Sequence, residues 1–137
     1  MRNLWLLIGV AGAMLGCEKI VEPVRDDHPV LGLWRLTSND GCLETYQFRT
    51  DNRVLIASGQ EIAEVRSMLS ATPDAQRFYR WEHTLVKHNG EKDCAGNIVK
   101  MGTSDTWFIQ LSQAGDRLIF CQKPSTDACF GPLQRVR

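Results

Sequence analysis

The chain has 137 residues, 43% of them hydrophobic and 23% charged, with 16 Lys and Arg against 16 Asp and Glu. That length fits one domain, and the ordinary charged fraction excludes a disordered tail, a collagen-like chain and a coiled coil. A formal net charge of zero provides no basic footprint, so no nucleic-acid partner is expected.

Met1-Arg2-Asn3 opens the chain with a positive charge, and residues 4–15 form an uncharged apolar run. The run is too short to cross a bilayer as a helix, which takes about 20 residues. Its layout is that of a signal peptide. It ends in Met14-Leu15-Gly16-Cys17, which resembles the lipobox of bacterial lipoproteins. The resemblance implies a signal peptide over residues 1–16, cleavage after Gly16, and a Cys17 carrying a diacylglyceryl thioether and an acylated amine. Palmitate-like chains on one residue make a stable membrane anchor, because anchoring takes more than one chain. Glu18 stands where an Asp would imply inner-membrane retention, so the implied location is the outer membrane of a Gram-negative envelope, on its periplasmic face. Residues 17–30 then read as the lipidated Cys and a flexible tether, with Pro23, Pro29 and His28 within it. The tether has too few bases for a polybasic membrane patch.

From residue 31 to 137 the chain reads as a barrel domain of short strands between turn signals. The expected strands cover residues 31–37, 43–49, 53–58, 60–70, 76–88, 106–112, 117–122 and 132–136. In the second, Glu44, Tyr46 and Phe48 share a face. The fourth is ambiguous. Ile62, Val65, Met68 and Leu69 fall at helical spacing, yet the context of a meander favours a strand, with a short helix as the alternative. In the fifth, Tyr79, Trp81, His83 and Leu85 share a face, and His88, five residues beyond His83, falls on the opposite one. Asn89-Gly90 ends it with a strong turn signal. Eight antiparallel strands in sequence order give an all-β, up-and-down barrel, with an interior that side chains fill or that holds one small ligand.

Four cysteines follow Cys17: Cys42, Cys94, Cys121 and Cys129. An even number in an oxidising compartment reads as two disulfides. Three pairings are possible, and Cys42–Cys94 with Cys121–Cys129 is favoured, since a turn-rich stretch joins the second pair. No C-x-x-C element marks a zinc, haem or redox site, so no metal and no cofactor are expected.

Gly32-Leu33-Trp34, at the start of the first strand, resembles the G-x-W signature that opens lipocalins. The family resemblance implies that Trp34 sits at the closed end of the barrel with an Arg from the last strand across it, either Arg135 or Arg137. It also implies a binding protein.

The residues themselves make no case for catalysis. The histidines do not converge, the cysteines are paired, and Gly41, Gly59, Gly90, Gly96, Gly102 and Gly115 each sit singly in turns, with no Gly-rich phosphate loop. Two functions of different kind follow. Tyr46, Phe48, Trp81, His83, Trp107 and Phe120 can line a pocket for a small hydrophobic or amphiphilic molecule. Alternatively the aromatics fill the barrel, and loops at residues 89–97 and 123–130 bind an envelope or host protein, as lysozyme inhibitors of similar architecture do. A cavity containing Trp81 and Trp107 distinguishes the first from the second.

Overall fold

Short runs of alternating side chains, separated by Gly-, Asn- and Asp-rich turns, favour successive hairpins over any long-range crossover. The computed structural model describes residues 23–137 and contains eight such strands. They are β1 (Gly32–Thr37), β2 (Leu43–Phe48), β3 (Arg53–Ser58), β4 (Glu61–Leu69), β5 (Phe78–His88), β6 (Ser104–Leu111), β7 (Arg117–Cys121) and β8 (Cys129–Val136). Each pairs antiparallel with the next, and β8 pairs with β1, so the sheet closes into a barrel without free edges. The signal peptide, the lipobox and Cys17 lie outside the described residues.

The expected strands are all present, with boundaries moved by one to three residues in all but the third. β6 begins at Ser104, where Thr84 pairs with it, and β8 begins at Cys129, opposite Cys121. Residues 61–69 are a strand rather than a helix. The helical spacing there misleads because apolar residues occupy both faces. Ala63, Val65 and Ser67 are buried with Glu61, whereas Ile62 on the outer face is 59% exposed. The inward set is small, and that leaves room inside the barrel for larger side chains from β2, β5 and β6.

The two ends differ. At one end the chain arriving from Pro23 folds under the barrel. Trp34 is fully buried and donates its indole N–H to the Val30 carbonyl at 2.8 Å. Arg135, and not Arg137, lies across it, with the guanidinium 4.2 Å from the ring centroid. Its three nitrogens donate to the carbonyls of Gly115 (3.1 Å), Leu31 (2.8 Å) and Pro29 (2.6 Å). Gly32 adopts φ +118°, and a Cβ there would stand 3.1 Å from Arg135 Nη1. Only glycine meets both demands at low cost.

His28 and Val30, at the end of the segment read as a tether, belong to this closed end. Val30 is fully buried and His28 nearly so. His28 Nδ1 accepts the Val30 N–H at 3.2 Å. Its Nε2 therefore carries the proton, which it donates to the Ser70 carbonyl at 2.9 Å. The ring packs 4.8 Å from that of Tyr79. Above this end lies the core of Phe48, Val54, Val65, Trp81, Ile109, Leu118, Phe120 and Leu133.

The opposite end is the mouth, and both disulfides brace it. Cys42–Cys94 ties the β1–β2 turn to the long β5–β6 connection, and Cys121–Cys129 joins β7 to β8. These are the favoured pairings. With sequence separations of 52 and 8, loop-closure entropy assigns them about 4 and about 2.6 kcal/mol. Gly59, at φ +60° in the β3–β4 turn, passes under the first bridge, and a Cβ there would meet Cys42 Sγ at 3.3 Å.

Candidate ligand site

The mouth opens into a cavity of about 290 Å³, at the small end of the range for ligand pockets, ~300–1,000 Å³. Aromatic side chains line it: Tyr46 from β2, Trp81 and His83 from β5, Trp107 from β6, Phe120 from β7 and Phe130 from β8. Of the six residues expected from sequence, five are therefore brought together. Phe48 is the exception. It lies one layer deeper as floor, with its ring 5.0 Å from Trp81 and 6.3 Å from Phe120.

Register explains the convergence. Trp81 and Trp107 are partners across the β5–β6 ladder, and the next inward pair towards the mouth is His83 with Asp105. Trp81 donates its indole N–H to Ser67 Oγ at 2.8 Å, and its ring stacks on His83 with centroids 4.1 Å apart. Trp107 donates to Asp105 Oδ2 at 3.1 Å. His83 Nδ1 is buried without a hydrogen-bond partner. Burial holds the His83 pKa below its ordinary 6.5, against the opposing pull of Asp105. Tyr46 packs edge-on to Phe120 at 5.0 Å, and burial pushes its phenol far up, with the charges of Glu44 and Glu61 adding. Both groups are consequently uncharged at neutral pH.

His88 corrects the sequence analysis. Period-2 counting puts it on the face opposite His83, yet both point inward. Val65 pairs with Leu85, but Glu64 pairs with Lys87 and Ala63 with His88, so β5 carries one extra residue at Val86. This bulge reverses the alternation beyond it. His88 Nε2 lies 2.8 Å from Glu61 Oε2, and the two side chains are 3% and 7% exposed. The Gly90 N–H donates to His88 Nδ1 at 2.9 Å. Nε2 must then carry the ring proton and donate it to Glu61.

Sequence reasoning missed most of the polar lining. Glu44, Glu61, Asp93 and Asp105 all face the cavity, and neither Lys nor Arg is among the residues around it. Glu44 was legible in part, since the alternation of β2 already set it on the face of Tyr46. Asp93 had a weaker signal in its position beside the bridged Cys94. Burial raises the Glu44 carboxyl above its ordinary 4.5; the hydrogen bond from Ser58 opposes that, and the charges of Asp93 and Glu61 add to it.

Ser58 Oγ donates to Glu44 and accepts the Cys94 N–H at 3.0 Å. Its hydroxyl is thus committed to bracing the mouth rather than aligned with His88 as a nucleophile would be. Among the described residues, no group of three or more His, Cys, Asp or Glu is arranged to hold a metal ion.

Fold and site together define a small closed β-barrel with an aromatic and acidic mouth cavity. Compared with protein-family models, curated proteins and solved structures, the chain finds no match.

Proposed function

We propose that this chain is a lipid-anchored protein of the bacterial envelope, with a lipocalin-like, non-catalytic barrel that holds one small molecule in its mouth. The observation that carries this is the cavity of about 290 Å³ lined by both Trp81 and Trp107. The anchor at Cys17 rests on the lipobox resemblance. The described chain begins at Pro23, under the closed end. Six residue steps separate Cys17 from Pro23, a reach of at most ~20 Å. An anchored barrel would sit close to the membrane with its closed end down and its mouth turned away, towards a soluble ligand.

Native mass spectrometry of the full chain, released from a neutral detergent, tests the function. A bound small-molecule adduct is expected, and Ala63→Phe, which projects a ring into the cavity, should remove it. An adduct that persists undiminished in Ala63→Phe would place the ligand elsewhere.

A second function has one observation in its favour. The β5–β6 connection, pinned by Cys42–Cys94, exposes Ile98 (57%) and Met101 (54%) beside the mouth. A rigid apolar loop of this kind suits a protein partner in the envelope. Loss of partner binding in Ile98→Ser, with ligand binding intact, would favour this reading over the first.

A further inference from the structure

Cavity chemistry, more than cavity size, selects the ligand. A neutral apolar guest gains from the aromatic walls, but it buries carboxylates that water would otherwise solvate, and that burial is costly. An anion meets repulsion from every charged group in the lining. A cation meets attraction from both kinds of wall, because the faces of Trp and Tyr carry negative potential and favour ammonium groups.

Resting on the ligand-holding function above, we propose that the cavity takes a small organic cation, a protonated or quaternary amine attached to an apolar or aromatic body. Three independent features of the lining converge on this class. First, the carboxyl groups arrive from separate elements: Glu44 from β2, Glu61 from β4, Asp105 from β6 and Asp93 from the disulfide-pinned connection. Second, no cation offsets them. Neither Lys nor Arg lines the space, and His88, hydrogen-bonded to Gly90 and Glu61, is not among the residues around it. Third, the acids adjoin the aromatics. Asp105 holds the indole N–H of Trp107, and the Trp81–Trp107 pair lies one step deeper than Asp105. A guest with its charged head at the mouth and its apolar body on the indoles matches that order of surfaces. His83 Nδ1, buried and unpartnered in the same lining, is a free acceptor or donor for a polar group on such a guest.

The same geometry argues against a metal cation. The acids line the cavity, yet no three of them are arranged to coordinate one ion. Small hard cations need several oxygen ligands at short distance, whereas a diffuse ammonium charge needs only field and aromatic faces.

The test uses three probes of nearly equal shape: 2-phenylethylammonium, 2-phenylethanol and 3-phenylpropionate. Each is titrated into the full chain in a neutral detergent at neutral pH, with tryptophan fluorescence as the readout. The ammonium is expected to bind at least tenfold more tightly than the alcohol at low salt, and the carboxylate least tightly. That preference should shrink in 1 M salt, where the screening length falls to about 3 Å. Glu44→Gln, which keeps an acceptor for Ser58, should weaken the ammonium about fivefold and leave the alcohol unchanged. Equal or tighter binding of the alcohol would overturn the cationic assignment while leaving the ligand-holding function in place. Failure of all three probes to bind, in a chain that melts cooperatively, would overturn both.

Discussion

Arg135→Met isolates the contribution of the guanidinium at the closed end. Methionine keeps an apolar stem over Trp34 and removes the charged head. Three hydrogen bonds then disappear, to the carbonyls of Gly115, Leu31 and Pro29, along with the cation–π contact at 4.2 Å. Water reaches this partly exposed site and can resolvate the carbonyls, so each bond is taken at about 1 kcal/mol rather than at the full value for a charged donor. The cation–π contact adds about 1 kcal/mol, for a total near 4 kcal/mol. In a domain of this size each kcal/mol moves the melting temperature by about 4 °C, so Tm should fall by about 15 °C. Circular dichroism melts with both disulfides intact measure this, with Arg137→Met as the control, which should change stability by less than about 0.5 kcal/mol. Amide exchange should rise first at Val30 and Gly32, the amides of the peptide units whose Pro29 and Leu31 carbonyls lose the clasp. A Tm loss under about 5 °C, or an equal loss in Arg137→Met, would refute the clasp.

Further outcomes follow from the mouth. Ala63→Phe should change stability by no more than about 1 kcal/mol, because its ring enters open space instead of a filled core, and it should abolish binding of 2-phenylethylammonium in a fluorescence titration. His88→Ala leaves the Glu61 carboxylate buried without its donor, at a cost of about 3 kcal/mol; in denaturant melts, adding Glu61→Gln should recover most of that loss, and simple additivity of the two changes would disprove the coupling. Glu44 provides a pH signature. Burial raises its carboxyl above 4.5, so the folded chain holds a proton that the unfolded chain has released. The stability this contributes is fully present below the ordinary value and is lost as pH rises through the raised folded value. Glu44→Gln should therefore raise Tm at neutral pH, with the gain vanishing by about pH 4; a gain independent of pH would exclude the titration of Glu44 as its source. A substitution that stabilises the fold and weakens the cation marks a group whose charge serves binding at the expense of stability.

How much was legible depended on whether the signal was local. Gly32, Trp34 and an Arg of the last strand could be read together, since the G-x-W signature is three consecutive residues and its resemblance to lipocalins implies the Arg. Strand count and disulfide partners were legible for a similar reason: turn residues sit at regular intervals, and Cys121 and Cys129 are separated by a turn-rich stretch. Choosing Arg135 over Arg137 required the β1–β8 register, which pairs Trp34 with Arg135. His28 looked like part of a tether because residues 18–29 hold two prolines, six charges and little periodicity. Its partners are Val30 and the distant carbonyl of Ser70, and only closure of the barrel brings the latter close.

The mouth was the least legible part, and Val86 shows why. Period-2 counting assumes an unbroken ladder, and no Gly or Pro in Leu85-Val86-Lys87 warns of a break. The bulge arises from a long-range competition. The Leu85 N–H and carbonyl are taken by Thr103 and Gly102 of the returning connection, while the Asn89 N–H bonds to the Ile62 carbonyl on the other side. One extra residue satisfies both neighbours. It also turns His88 inward onto Glu61. The other acids share this dependence on closure. Along β2, Glu44 is a single polar exception on an apolar face, and along β6 Asp105 is another. Neither means much until the sheet wraps around and sets them across one cavity from Glu61 and Asp93. A strand-by-strand reading therefore sees an apolar pocket with isolated polar residues, whereas the closed barrel presents a negative field over aromatic walls. The charge preference we propose for the ligand is consequently a property of closure, one that the strands read singly do not display.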